Sequence, residues 1–451
     1  MYRKSKIVFY SALTITFLLL LTFSVWSETT VTIGTDTSTY VFSGKLVTPD
    51  KVIDGKLIIR NDTITCVGTD CVDPPGATKL SVTDSYIFPG FIDAHNHVPY
   101  NVLPKWKPPK LYSNRYEWRK DQDYLKFKEP YDKLLEKNLQ CEMIKYSEIK
   151  AMISGVTTIQ GTYPVKGHEL CYDTLIRNAE NYNGLELPGN YITHILDIDK
   201  FNGKIDWNET KSLPIHLAEG VDEKSRQEFI TLQEKGLFRG ETAIIHGTAL
   251  GEKEFKEMGE KGTKLIWSPQ SNLVLYGQTT NVKLALENGV QVSLGVDWNL
   301  SGSNHILDEL RVAEKVNSEK FGGIIKDWVN LITINPAKAL ALDGYIGRLA
   351  PDLKADISVL RMKDSNPSAS LLKSDLQDVE MVWVGGNLLF ADEPILQIIK
   401  PGQCELMTVY DSQKRVCVKN MKNPSDKRDQ TLKDIIEVLK KVEFELAPLV
   451  P

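Results

Sequence analysis

Residues 88–97 read FPGFIDAHNH. A Pro89-Gly90 turn leads into a short apolar run that ends in His95-Asn96-His97. Side chains at i and i+2 leave a strand on the same face, so a strand here would point both imidazoles one way. Alone, two histidines near a strand end are ordinary surface polarity. Their weight comes from other strand-like runs that also end in reactive side chains. LPIHLAE (213–219) carries His216 and Glu219, TAIIHG (242–247) carries His246, and VQVSLGVD (290–297) ends in Asp297. Four of the seven histidines thus sit at such ends, and His168, His194 and His305 read as surface or supporting residues.

Outward from this stretch the pattern alternates. Strand-like GVTTIQG (155–161), NYITHILDI (190–198) and KLIWSP (264–269) add to the runs above, and helical patterns over 221–236 and 252–262 lie between them. Strand–helix alternation predicts parallel βα units. A block of about 250 residues is the usual size of a (β/α)8 barrel, whose strand ends converge on one mouth where reacting groups collect. The expected fold is therefore α/β: a TIM-like barrel over 91–342, flanked by 28–90 and 343–395, which both read as β and together form a small β-sandwich. Residues 396–451 read as a tail with a disulfide loop and a charged helix near 427–445. Between Gly161 and His216 two strands and their helices must fit into little chain, so the barrel is expected to be trimmed around strands three and four. One βα crossover unit alone takes ~30 residues.

Composition narrows the partners. The 451 residues carry 54 Lys+Arg against 59 Asp+Glu, a net charge of −5, with 42% hydrophobic and 25% charged residues. That is a globular chain without the basic face a nucleic-acid binder needs. Residues 1–27, MYRKSKIVFYSALTITFLLLLTFSVWS, open with three cations, continue apolar, and place small residues before a cut after Ser27. This is the pattern of a secretory signal peptide. Export to the periplasm or beyond follows, with an uncleaved membrane anchor as the alternative. Cys66, Cys71, Cys141, Cys171, Cys404 and Cys417 all lie beyond that segment, an even count that fits disulfides in an oxidising compartment. Proximity favours Cys66–Cys71 and Cys404–Cys417, leaving Cys141–Cys171. No CxxC spacing supports a structural zinc site.

Imidazoles and a carboxylate from separate strand ends suit one divalent metal ion, Zn²⁺ first and Fe²⁺ second. Such an ion lowers the pKa of bound water from 15.7 to about 7. Glu219, just past its strand, is placed to carry protons, although an acid there also suits a helix N-terminus.

Taken in order, FPGFIDAHNH, HLAE, IIHG, SPQSN (268–272), LGVDWNLSGS (294–303), DELRVA (308–313) and NPAKALALDGYIGRLAPDLKADISVL (335–360) resemble the amidohydrolase superfamily. The likeness is to its chlorohydrolase and cytosine-and-guanine-deaminase-like branch and covers about residues 40–390. The resemblance implies that His95, His97, His216 and Asp297 bind one metal. It implies that Glu219 moves protons, that His246 polarises the substrate or holds the hydroxide, and that Asp297 also accepts a hydrogen bond from that hydroxide. Ser271 and Asn272, in the strand-seven motif, would position substrate.

One departure adds to this. Residues 98–154 are long and rich in rings: Tyr100, Trp106, Tyr112, Tyr116, Trp118, Tyr124, Phe127 and Tyr131. They either roof the site and stack on a planar substrate, with Trp118 as the candidate contact, or pack as a helical insertion outside the barrel. No lysine stands at a strand end to bridge two metals, which favours a mononuclear centre. The sequence therefore points to an exported hydrolase of non-peptide C–N bonds, a deaminase or cyclic amidohydrolase. In it, a metal-activated hydroxide attacks an sp² carbon of a small heterocycle. Hydrolysis of a carbon–halogen bond or a peptide-like amide is the first rival, since a fold does not settle chemistry. A catalytically inactive surface binding protein on a decayed barrel is the second. The expected partners are a small-molecule substrate and a second copy of the chain in a homo-oligomer, with no nucleic acid.

Overall fold

The structure, a computed structural model, describes residues 29–161, 175–179, 198–400, 402, 404–419 and 430–451. The leader 1–27, His168, Cys171, His194 and all of the run 190–198 except Ile198 lie outside the described residues.

Both flanks of the chain meet in one ten-stranded sheet. The N-terminal side gives Asp36–Val47, Val52–Arg60, Thr63–Gly68 and Ala77–Pro89, and the C-terminal side gives Ile357–Arg361, Val379–Val384 and Asn387–Asp392. The joint is the antiparallel pairing of Ile357–Arg361 with Ala77–Pro89, which sets Val359 opposite Ile87. Alternating apolar residues bury one face: Phe42, Leu57, Ile59, Ile87 and Trp383 are all fully buried. The Trp383 ring meets Tyr40 and Phe42 edge-on at 4.8 and 5.3 Å. The boundary expected at 395 is not a boundary here. Ser412–Val416 pairs with Asn387–Asp392, and Glu405–Val409 pairs with Ser412–Val416, so this hairpin extends the sheet. Its strands read ELMTV and SQKRV, too short and too polar to announce themselves as core strands.

The parallel strands form two described sheets. One runs Phe91–Asp93, Val156–Ile159, Arg177–Asn178, and the other Leu213–Leu217, Thr242–His246, Lys264–Trp267, Val292–Leu294. Backbone bonds join them, from Ala94 N to Leu294 O at 3.2 Å and from Asp297 N to His95 O at 2.8 Å. The described strands therefore make a seven-membered parallel arc whose two open ends are Arg177–Asn178 and Leu213–Leu217. Arg177–Asn178 gave no sequence signal, because two polar residues carry no period. Its Arg177 is bidentate to Asp356 at 2.7 and 2.9 Å and ties the arc to the sheet. The expected helices appear as Glu223–Glu234 and Glu252–Lys261. Asp222 caps the first by accepting from Ser225 N, and Gly262, at φ 75°, ends the second.

Residues 98–154 form a 3₁₀ turn and four helices, the last being Gln140–Met152. The tail returns to this segment. Leu432–Leu439 packs on Gln140–Met152, Tyr146 Oη donates to Ala447 O at 2.5 Å, and Ala447 N donates to Val102 O at 2.9 Å. Cys66–Cys71 and Cys404–Cys417 are bonded, as proximity suggested. Among the described residues, no helix is long and apolar enough to cross a membrane.

Candidate metal centre and active-site cavity

The ends of the parallel strands carry the site. His246 closes its strand with φ 70°, and Asp297 follows Val292–Leu294 with φ 71°, both in the left-handed region. Such a backbone costs ~1–3 kcal/mol in a non-glycine residue and persists only where neighbours hold it. Asp297 is held on both sides: its N–H donates to His95 O, and its carbonyl accepts from His97 N. Gly295 permits that approach, since a Cβ there would lie 2.8 Å from the Cβ of His95.

The side chains then converge. Asp297 Oδ1 lies 3.1 Å from His95 Nε2 and 3.3 Å from His97 Nε2, and His97 Nε2 lies 3.3 Å from His216 Nε2. Two sets, His95/His97/His216 and His95/His246/Asp297, each keep their donor atoms within 4.8 Å of one another. Tetrahedral Zn²⁺ at Zn–N ~2.0–2.1 Å separates its ligand atoms by roughly 3.3–3.4 Å. The three spacings Asp297–His95, Asp297–His97 and His97–His216 lie close to that edge, and three imidazoles with a carboxylate are donors of the kind one divalent cation takes.

The electrostatics of Asp297 and His97 suit such an occupant. Burial works to raise the Asp297 carboxyl, but the hydrogen bond from His95 and the neighbouring imidazoles hold it well below the usual carboxylate range. Burial pushes His97 and His246 down to about 3, which keeps both neutral. His95 goes the other way: burial opposes its charge, yet the Asp297 bond raises it. Metal ligation needs an ionised carboxylate and neutral imidazoles. Glu219 stands beside this set, with Oε2 3.7 Å from His246 Nε2. Burial lifts its carboxyl to about 7, against the pull of Arg115.

The supporting residues are largely new. Gln160 Oε1 lies 3.2 Å from His95 Nδ1 and fixes that ring. It sits at the end of GVTTIQG, so the strand-end rule that found the histidines also reaches it. Arg115 donates to His216 O at 3.0 Å and to Glu228 at 3.1 Å, and its own N–H donates to Glu219 O. Nothing in the sequence marked it. Ser271 and Asn272 are fully buried behind the cluster, where Ser271 Oγ donates to Asp297 Oδ2 at 2.5 Å and Asn272 Nδ2 meets His246 Nδ1 at 3.0 Å. They touch the reactive side chains from behind and do not line the cavity. His305 is buried rather than superficial. It caps Ile306–Lys320, with Nδ1 accepting from Asp308 N at 3.3 Å.

In front of the cluster lies a cavity of about 350 Å³. His97, His216, Glu219, His246 and Asp297 form its floor, and Tyr100, Trp118, Tyr124, Tyr131 and Trp298 form its walls. The ring-rich segment is therefore over the strand ends rather than outside the arc. Tyr100 and Tyr131 stack at 3.9 Å, nearly parallel.

The Amidohydrolase family profile matches residues 204–389. A 5-methylthioadenosine/S-adenosylhomocysteine deaminase of Pyrococcus abyssi is 30% identical over 214 residues, 43% of this chain and 49% of the relative. The match thus spans about half the length of that relative. Among solved structures, an atrazine chlorohydrolase of Arthrobacter aurescens complexed with zinc superposes with a TM-score of 0.62 at 14% identity, over 78% of this chain and 95% of the other. Guanine deaminase of E. coli gives 0.60 at 20% identity, over 78% and 98%. These two likenesses speak to the fold.

Proposed function

We propose that the chain is a member of the amidohydrolase superfamily, whose profile matches residues 204–389, and that it is a zinc-dependent hydrolytic deaminase of aminated heterocycles. The observation that carries this reading is the convergence of His97, His216 and Asp297, with His95 behind them, on the floor of an aromatic-walled cavity. A divalent cation held by these four side chains supplies a water that is acidic enough to ionise near neutral pH. The remaining chemistry belongs to the chain. Glu219 Oε2 faces His246 and the cavity, where a carboxyl of nearly neutral pKa can take a proton and return it to a leaving nitrogen. Neutral His246 donates a hydrogen bond to the oxygen that attacks the substrate carbon. The ring walls admit a planar substrate and exclude water from it.

The finer expectations follow from this proposal. The (β/α)8 barrel expected over 91–342 remains part of this reading, and the leader 1–27 exports the protein to the periplasm or beyond. The Cys66–Cys71 and Cys404–Cys417 disulfides support that destination.

Elemental analysis of the purified protein, paired with ammonia release, tests the reading. The first substrates are 5-methylthioadenosine and S-adenosylhomocysteine, after the relative's name, followed by free aminopurines and aminopyrimidines. About one zinc per chain and ammonia from at least one of them is expected. A protein that retains no divalent metal after loading and releases no ammonia from any compound would sink it. Glu219→Gln should keep its zinc and lose roughly 10²–10⁴ in kcat.

A further inference from the structure

Three side chains of the site each end a hydrogen-bond chain that starts at a tryptophan. Trp118 Nε1 donates to Tyr276 Oη at 2.8 Å, and Tyr276 Oη donates to Glu219 Oε1 at 2.6 Å. Trp267 Nε1 donates to Thr279 Oγ1 at 2.8 Å, Thr279 donates to Asn272 Oδ1 at 3.2 Å, and Asn272 Nδ2 lies 3.0 Å from His246 Nδ1. Trp298 Nε1 donates to Ser301 Oγ at 2.5 Å, Ser301 and Ser271 are 2.8 Å apart, and Ser271 donates to Asp297 Oδ2 at 2.5 Å.

An indole N–H only donates. A hydroxyl that accepts from it has a single proton left, and that proton goes to the next acceptor along the chain. Each chain therefore has one direction, away from the tryptophan and toward the site. Glu219 Oε1 receives a donor in either protonation state, so any proton Glu219 carries sits on Oε2, the oxygen that faces His246. Asn272 presents its NH₂ to His246 Nδ1, so that nitrogen accepts and the neutral ring bears its proton on Nε2, toward Glu219. Asp297 Oδ2 is engaged by Ser271, which leaves Oδ1 for the imidazole cluster.

We infer that Trp118, Trp267 and Trp298 act, through Tyr276, Thr279/Asn272 and Ser301/Ser271, as positioning residues that fix which atom of Glu219, His246 and Asp297 carries or lacks a proton. Burial supports the first chain, since it holds the Tyr276 phenol protonated. The inference rests on the proposed reading of Glu219 and His246 as proton-handling groups, but the proton positions themselves can be measured without a substrate.

Long-range ¹⁵N–¹H correlation spectra of the zinc-loaded protein report the tautomer of each histidine ring, with His246→Gln identifying the His246 signal. The wild type should show His246 protonated on Nε2. Thr279→Val, which keeps the shape but removes the hydroxyl, should mix the tautomers, and Thr279→Ser should restore the wild-type pattern. A wild-type ring protonated on Nδ1, or a Thr279→Val spectrum identical to wild type, would overturn the inference. If a substrate is in hand, Tyr276→Phe should lower kcat roughly tenfold, the weight of one hydrogen bond to a charged group, with KM within about twofold. An unchanged kcat in Tyr276→Phe beside a collapsed one in Glu219→Gln would overturn the Glu219 branch while leaving the function intact. Unchanged turnover in Glu219→Gln would instead remove the mechanism and leave the His246 tautomer to decide the chains.

Discussion

The ten-stranded sheet and the parallel arc bury their strands with opposite chemistry. In the sheet, apolar side chains fill the interior: Phe42, Leu57, Ile59, Ile87 and Trp383. In the arc, the strand ends and the helix Pro269–Tyr276 bury His95, His216, His246, Asp297, Ser271 and Asn272, and two of them sit at positive φ. Each buried polar group needs a partner or it costs free energy, and each left-handed residue adds ~1–3 kcal/mol. The sheet is built for stability, whereas the arc holds strain and polarity where a cation and a substrate can use them. Changes in the arc should therefore alter chemistry more than folding, and changes in the sheet the reverse.

The sharpest break in that contrast is Asp297→Asn. It removes the one carboxylate of the donor set while keeping the volume, and asparagine tolerates φ 71° as well as aspartate does. Zinc binding should be lost, and turnover should fall on the order of 10³-fold or more, since the Lewis-acid contribution is worth several kcal/mol. The metal-free protein should melt at the wild-type temperature or slightly above. A variant that retained zinc and full turnover would show that Asp297 is structural and would erase the distinction drawn here.

Trp383→Ala probes the other side. The ring is fully buried between Tyr40 and Phe42, and its deletion leaves a cavity that should cost about 3–5 kcal/mol of stability by denaturant titration. Zinc content and turnover per folded molecule should not move. Trp383 Nε1 has no hydrogen-bond partner among the described residues, so Trp383→Phe gives up no polar contact and should cost less. A loss of zinc in either variant would mean that the sheet helps to set the site.

The sequence revealed the two regions unequally, for physical reasons. The sheet could be read from its alternation, and the joint between its halves from the return of β character after 343. The charged hairpin at 405–416 could not, because a strand held at a sheet edge needs little apolar character. In the arc, the strand-end rule located His95, His97, His216, His246, Asp297 and Glu219 around one cavity, because a short apolar run with a reactive terminus is a local signal. Arg115 and Tyr276 stayed hidden. Arg115 reaches the site through Glu228 and the His216 carbonyl, and Tyr276 through a helix, so their relation to the site exists only in three dimensions. Ser271 and Asn272 lay inside a readable motif, yet only coordinates reveal that they face the reactive side chains from behind.

The smallest expected effect is the one that best separates support from stability within the arc. Ser271 Oγ donates to Asp297 Oδ2 and also hydrogen-bonds Ser301 Oγ, in a fully buried spot. Ser271→Ala removes a single oxygen and leaves the packing nearly unchanged. Asp297 Oδ2 then loses its donor, leaving the carboxylate oriented through the His95 and His97 nitrogens that share its Oδ1. Outer partners of metal ligands are typically worth 10–100-fold in affinity, so zinc should bind that much more weakly in competition with a chelator of known strength. Unfolding of the metal-free protein should shift little, because Asp297 keeps its Oδ1 contacts to His95 and His97. If zinc affinity held while stability fell, Ser271 would belong with the sheet's residues, as packing, and the polar load of the arc would need another explanation.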